Sequence, residues 1–299
     1  MAREPSADAE AELASLMKTL DDAAFFARMA PAPSDAPAEV PSPGSPDLDR
    51  LANEGWLALA GALDPGEQRQ LGLCIDALDD AGLPPLFVYA FDATWRIGAR
   101  LAAALSRATG APYVLVPDAW AFRVPPGPEH GGWAPHRGTY ELSVDRRAPD
   151  VLNVWIAVTD ATIDNSCMFV VPLDRDPAYP GDLGSHLAAR DGGVALPAPA
   201  GTALVWNANV LHWGGPSTRL ARAPRVSITF TLARGTDRGV VDVARLDHRA
   251  RLDLVADQIQ AYGDRDPTLG AALRRWADVT VGLRNAVGFA RREASRKAP

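Results

Sequence analysis

The sequence predicts a mainly β core flanked by helices, an α+β chain, and three observations carry that reading. From about residue 113 the apolar residues fall in short β-rich runs, "YVLV", "AWAFRV", "VLNVWIAV", "CMFVV", "TALVW" and "RVSITFTLA", parted by Gly, Pro and Asp clusters. No regular helices intervene between these runs, which indicates an antiparallel barrel or sandwich instead of a parallel sheet. On either side of the β stretch the apolar spacing becomes helical.

Taken in order, residues 8 to 29 carry Leu13, Leu16, Met17, Leu20 and Ala24 at helical spacing, which predicts a helix docked on the core. Residues 30 to 46 are rich in proline and poor in hydrophobes, the composition of an extended strap, so residues 1–46 form an N-terminal helix and linker. "PDLDRLANEGWLALAGAL" and "DPGEQRQLGLCIDALDDAGL" read as turn and helix, with Asp64 and Pro65 placed to start the second. "ATWRIGARLAAALSRATG" reads as a helix closed by Gly110. The β core and its leading helices span residues 47–236. "ARLDLVADQIQAYG" and "TLGAALRRWADVTVGLRNAVGFARRE" then make residues 237–299 a helical extension on the same domain.

The bulk numbers exclude several functions. Hydrophobic residues make up 47% of the 299, ample for a core, and the net charge of −7 offers no basic footprint for nucleic acid. No apolar run reaches the length of a membrane span, and the acidic opening "MAREPSADAEAE" is unlike a signal peptide. Cys74 and Cys167 form neither a metal spacing nor a disulfide framework. The expectation is a cytoplasmic protein with reduced thiols, partnered by neither nucleic acid nor membrane.

Five histidines are present, and two have conspicuous settings. His136 follows the turn-rich "GGWAP", and His212 ends a strand pair before "WGG". Either alone reads as a structural histidine. The pair reads differently because Arg225 and Ser227 lie just beyond the second. In "RVSITFTL", Arg225, Ser227, Thr229 and Thr231 share one face, and Val226, Ile228, Phe230 and Leu232 the other. A surface strand alternates in the same way, but an arginine heading the polar face suits a barrel whose lumen holds an anion.

Four segments in order, "GWAPHRG", "LNVWIAVTDATIDNSCMFVVP", "GTALVWNANVLHWGGPS" and "PRVSITF", resemble the non-haem iron(II), 2-oxoglutarate-dependent oxygenases, in their phytanoyl-CoA dioxygenase-like branch. The resemblance runs from about Trp120 to Arg234 and has Ser166 where the branch usually has Gly. It implies a double-stranded β-helix, the jelly-roll or cupin-like barrel, with the cofactors Fe(II), 2-oxoglutarate and O2. By that match His136 and His212 are the metal ligands. Arg225, helped by Ser227, clamps the distal carboxylate of 2-oxoglutarate, for which a planar guanidinium suits. The substrate is expected to be a small molecule, free or carrier-tethered.

The pattern departs at Gly138. Two residues after the first histidine the family has Asp or Glu, and glycine has no donor atom. Three readings follow. In the leading one the protein is a halogenase, because family halogenases carry Ala or Gly here and bind chloride in the vacated position. In the second it is a hydroxylase whose missing carboxylate comes from Glu141 or Asp145, or is replaced by water. Glu141 has the wrong parity for a straight strand and needs a bulge. In the third the fold binds ligands without turnover. Retention of both histidines and Arg225 counts against the third.

Trp133, Trp155, Trp206 and Trp213 surround these residues in sequence and read singly as packing. Asn153 and Trp155 share a strand face that, turned to the lumen, touches cofactor or substrate. Arg123 is a substrate or halide candidate set against an ordinary surface salt bridge. Tyr140 is a candidate for steering the reaction by hydrogen bonding. His130 is a weak substrate-contact candidate, and His186 and His248 read as surface residues. Asn207 and Asn209 read as turn residues, as do Asp160, Asp164 and Asn165.

Overall fold

The computed structural model describes residues 7–30, 39–184, 190–235, 237–266 and 268–297. Part of the proline-rich strap and His186 lie outside them. The apolar N-terminal pattern forms two helices, α1 (Ala7–Asp21) and α2 (Ala23–Met29). They part at Asp22, whose carboxylate accepts from the Ala24 N–H at 2.9 Å and so starts α2 as an N-cap. Helix α3 (Ser45–Glu54) ends at Gly55 in the left-handed conformation, φ 85°.

The next run departs from the turn-and-helix reading, because "WLAL" is a strand, β1 (Trp56–Leu59). Its apolar residues serve a sheet edge, and β1 pairs antiparallel with a later strand from Trp56↔Trp206 to Leu59↔Ala203. Helix α4 (Pro65–Asp80) starts as anticipated. Asp64 accepts from Gly66 and Glu67 N–H, and Glu67 returns the bond to Asp64 N–H. A short turn of 3₁₀ helix (Pro85–Ala90) leads into α5 (Asp92–Thr109), closed by Gly110.

The β core follows as β2 (Tyr113–Val124), β3 (Val151–Ala157), β4 (Met168–Val171), β5 (Val194–Leu196), β6 (Ala203–Asn207), β7 (Leu211–Gly214) and β8 (Arg225–Arg234). The runs "YVLV" and "AWAFRV" are one strand with an irregularity between Leu115 and Ala119. Gln258 satisfies that irregularity, donating to Pro117 O and accepting from Ala119 N–H. Two antiparallel sheets result, in the orders β1-β6-β3-β8-β2 and β5-β4-β7. This is the double-stranded β-helix. The C-terminal extension is α6 (His248–Tyr262), which carries Gln258 onto β2, and α7 (Ala271–Lys297). His248 is half-buried against Phe26, ring centroids 4.9 Å apart, and is not a surface residue.

The large sheet has two unlike faces. Leu152, Val154 and Ile156 of β3, with Ile228 and Phe230 of β8, join Leu71, Ile75, Leu101 and Leu105 in the main core beneath the helices. The alternate residues Trp155 and Ala157 join Leu204, Trp206, Met168 and Val170 in a second core between the sheets. Period two therefore decides which side chains reach the lumen. Helix α5 lies close to the sheet because Gly98 has no Cβ; one added there would meet Leu115 and Phe230 at 2.9 Å. Gly98→Val is expected to cost about 1–3 kcal/mol through overpacking, measured by equilibrium urea unfolding. A variant as stable as its parent would refute that close approach.

Candidate active site

The segment carrying His136 is not a regular strand. It is held by isolated bridges, Gly131↔Pro216 and His136↔His212. His136 N–H donates to His212 O, and His212 N–H to His136 O, both at 3.0 Å. This exchange sets two residues distant in sequence side by side, with ring centroids 4.2 Å apart. The approach depends on glycine: a Cβ on Gly132 would meet the Cα of Gly214 at 2.5 Å.

Both imidazoles are oriented by their own backbone. Nδ1 of His136 lies 2.8 Å from Ala134 O, and Nδ1 of His212 lies 3.0 Å from Val210 O. A carbonyl only accepts, so each Nδ1 carries the proton and the lone pair is on Nε2, the state that ligates a metal. Burial, and then the neighbouring His136, holds the His212 pKa well below its ordinary value, so this ring stays neutral at physiological pH.

Between them in sequence, Arg137 points the other way and anchors the segment. Its side chain is fully buried with Asp176, Nη1 to Oδ2 2.6 Å, and it also donates to Asn209 O and Leu183 O. Asn209 ties down the chain that follows, donating to Thr139 O and Glu141 O and accepting from Ser143 N–H. Asn209 is thus more than a turn residue.

The histidine pair opens into a cavity of about 290 Å³. Gly138, Tyr140, Asn153, Trp155 and Arg225 also line it, with Trp133 and Trp206. Trp213 instead stacks on Phe169 at 5.5 Å. Arg225 is 1% exposed. Its Nε donates to Ser166 O, Nη1 to Ser227 Oγ at 2.6 Å, and Nη2 to Ser166 Oγ at 3.1 Å. Phe122 and Trp155 each stand 5.5 Å from its guanidinium carbon. Burial pushes its pKa down to about 10, which still leaves it charged at neutral pH. Ser166 holds a left-handed backbone, φ 72°, at the position where the resembled pattern has Gly. That conformation costs about 1–2 kcal/mol for a non-glycine residue, and the hydroxyl braces Arg225 and donates to Gly215 O.

Two expectations need correction. Arg123 alternates with the lumen residues Trp120 and Phe122, so it faces α4 and pairs with Asp79 at 3.4 Å and Asp76 at 3.7 Å. Glu141 is paired with Arg238 at 2.6 Å, and Asp145 caps Arg147 and Ala148 N–H; neither lines the cavity. Gly138 does leave room, but the room is not empty. A Cβ built on it would lie 2.3 Å from Asn153 Oδ1 and 3.0 Å from Ala208 Cβ.

Sequence reasoning passed over several residues. Asp118 lines the cavity and accepts from Thr231 Oγ1 at 2.8 Å. Tyr262 and Arg265, from the C-terminal extension, reach the cavity wall, with Arg265 over Trp133 at 5.4 Å. Burial, reinforced by Asp118, pushes the Tyr262 pKa up to about 12. No motif marks these residues; Asp118 comes from β2, and the docking of α6 brings Tyr262 and Arg265 to it. His130 sits in its loop beside Glu129, 3.3 Å away. Asn165 closes the 160–165 turn through Thr162 and Asp160, as expected.

Residues 85–223 match the model of the phytanoyl-CoA dioxygenase (PhyH) family, and Arg225 falls just beyond the matched stretch. No curated protein matches in sequence. Among solved structures, a non-haem monooxygenase, the ThoJ–nickel complex, is 21% identical over 75% of this chain and 100% of that one, with TM-score 0.52. AviO1 from Streptomyces viridochromogenes Tue57 is 17% identical over 63% and 94%, with TM-score 0.51. EvdMO1 is 16% identical over 64% of this chain and 50% of its own, with TM-score 0.50. At these identities the likeness is one of fold.

Asp176→Ala leaves the Arg137 cation buried beside His136 without its counter-ion. It is expected to destabilise the protein by about 3–5 kcal/mol, read as a lowered urea midpoint. A loss below about 1 kcal/mol would refute the pair's anchoring role.

Proposed function

We propose that this protein is an iron(II)- and 2-oxoglutarate-dependent oxidative enzyme acting on an aliphatic C–H bond of a small molecule, with natural products as the substrate class. The observation that carries this reading is Arg225. It is a buried cation with no carboxylate partner among the described residues, and it lines the same cavity as His136 and His212. A charge is kept in such a place only where a counter-ion completes it. Three of its five N–H donors are spent on Ser166 and Ser227, and the remainder suit a ligand carboxylate.

In this reading Nε2 of His136 and of His212 holds iron(II), and Arg225 with Ser227 holds the distal carboxylate of 2-oxoglutarate. When bound, iron(II) with 2-oxoglutarate and O2 supplies a two-electron oxidant, and the co-substrate is released as succinate and CO2. Trp155 and Phe122 flank the guanidinium and keep water from the anion site. Trp133, Tyr262 and Arg265 form the outer wall on which a substrate is positioned, with Arg265 suited to an anionic substituent. Tyr140 lies at the mouth, 59% exposed, where it contacts substrate on entry.

Halogen transfer, with chloride as a further ligand, is the second reading. It is favoured by Gly138, which supplies no carboxylate, and disfavoured by Asn153 Oδ1, an electron-rich atom facing the room a halide needs. Product mass spectrometry in chloride and in bromide separates the outcomes, since halogen transfer shifts the product mass with the halide and oxygenation does not.

Incubation with iron(II), 2-oxoglutarate and O2 is expected to yield succinate, and absence of succinate under every substrate tried would favour a binding role. Arg225→Lys is expected to weaken 2-oxoglutarate binding by about 1.5–3 kcal/mol, or roughly 10- to 150-fold in Kd. Calorimetry showing unchanged affinity would remove Arg225 from the co-substrate site.

A further inference from the structure

Asn153 occupies the space opened by Gly138, and its hydrogen bonds decide which end of the amide faces that space. The Asp118 carboxylate can only accept, so Thr231 Oγ1 gives its single proton to Asp118 Oδ2 at 2.8 Å. Thr231 Oγ1 is then left as an acceptor, and it takes a proton from Asn153 Nδ2 at 3.2 Å. Nδ2 is thereby turned toward β8, where Asn153 and Thr231 stand directly opposite. Oδ1 must face Gly138.

That oxygen is buried and has no hydrogen-bond partner among the described residues. A buried acceptor is ordinarily paired. It lies 2.3 Å from a Cβ built on Gly138, close to the separation of Cβ from a carboxylate oxygen within an aspartate. Gly138 and Asn153 line the same cavity as His136 and His212. Among the described residues no three His, Cys, Asp or Glu side chains are grouped to hold a metal. An amide oxygen is a legitimate donor to a divalent cation.

We propose that Asn153 Oδ1 is the third protein ligand of the metal, so that two histidines and one carboxamide replace two histidines and one carboxylate. This rests on the iron reading above. Gly138 and Asn153 then form a matched pair: the acid is absent from one segment because an oxygen arrives from β3, and any Cβ at 138 would collide with it. A neutral donor leaves the metal one charge unit more positive than a carboxylate does. The centre therefore grips the metal less tightly, and chloride enters only where the amide gives way.

The test uses the full chain, freed of metal, with Co(II) alone as the probe. Its dissociation constant and visible d–d spectrum are measured without 2-oxoglutarate. Asn153→Ala is expected to weaken Co(II) binding at least tenfold, since even outer partners of metal ligands act at the 10–100-fold scale, and to alter the spectrum. Asn153→Asp is expected to bind more tightly than wild type. In the Asn153→Ala background, adding Gly138→Asp is expected to restore affinity, because a carboxylate then fills the position. Thermal unfolding of each metal-free variant checks the fold, and the rescue remains decisive if Asn153→Ala is less stable. Wild-type affinity and spectrum in Asn153→Ala, or no rescue by the double variant, overturn the proposal. His212→Ala separates the levels: if it binds Co(II) like wild type, the iron reading itself fails. If His212→Ala loses Co(II) while Asn153→Ala keeps it, only the amide ligand fails.

Discussion

The site depends on one reciprocal pair of backbone hydrogen bonds, between His136 and His212. One further backbone bond, Gly214 N–H to Trp133 O at 3.2 Å, ties the irregular 131–140 segment to β7. The bonds form only because glycines on both sides let the chains approach and because Arg137 ties the segment to Asp176 on its far side. The imidazole tautomers, the cavity mouth and the place of Gly138 all follow from that register.

The large sheet supplies the opposite wall by simple alternation. Trp155 and Asn153 on β3, and Arg225, Thr229 and Thr231 on β8, reach the lumen because their neighbours are committed to the helix-covered core. A one-residue slip of β8 would exchange Arg225 for Val226 and take the guanidinium out of the lumen. The pairing of β8 with β2 on one edge and β3 on the other fixes the strand against such a slip.

The parts of this arrangement that were legible in the sequence were those with strong periodicity or a local rule. The polar face of β8, the capping of α4 by Asp64 and the stop of α5 at Gly110 are of that kind. Strand β1 was not legible, because four alternating residues beside a Gly-Ala run carry too little signal to distinguish strand from helix. Asp118, Tyr262 and Arg265 were hidden for another reason: they meet only when α6 docks on β2 through Gln258, a contact between residues far apart in sequence. The gap at Gly138 was visible as a missing acid, but that Asn153 reaches into it could be seen only once β3 was placed.

Tyr262 and Arg265 give the cavity a composite origin. The paired histidines and Arg225 come from the middle of the chain, within or next to the PhyH-matched stretch, whereas part of the rim comes from the tail. Drift in the tail can thus reshape the cavity rim without disturbing the histidines or Arg225. Under the proposed function, selectivity and chemistry would be encoded in separable lengths of polypeptide, so a graft of the tail onto a related barrel would carry preference across while leaving reaction type behind.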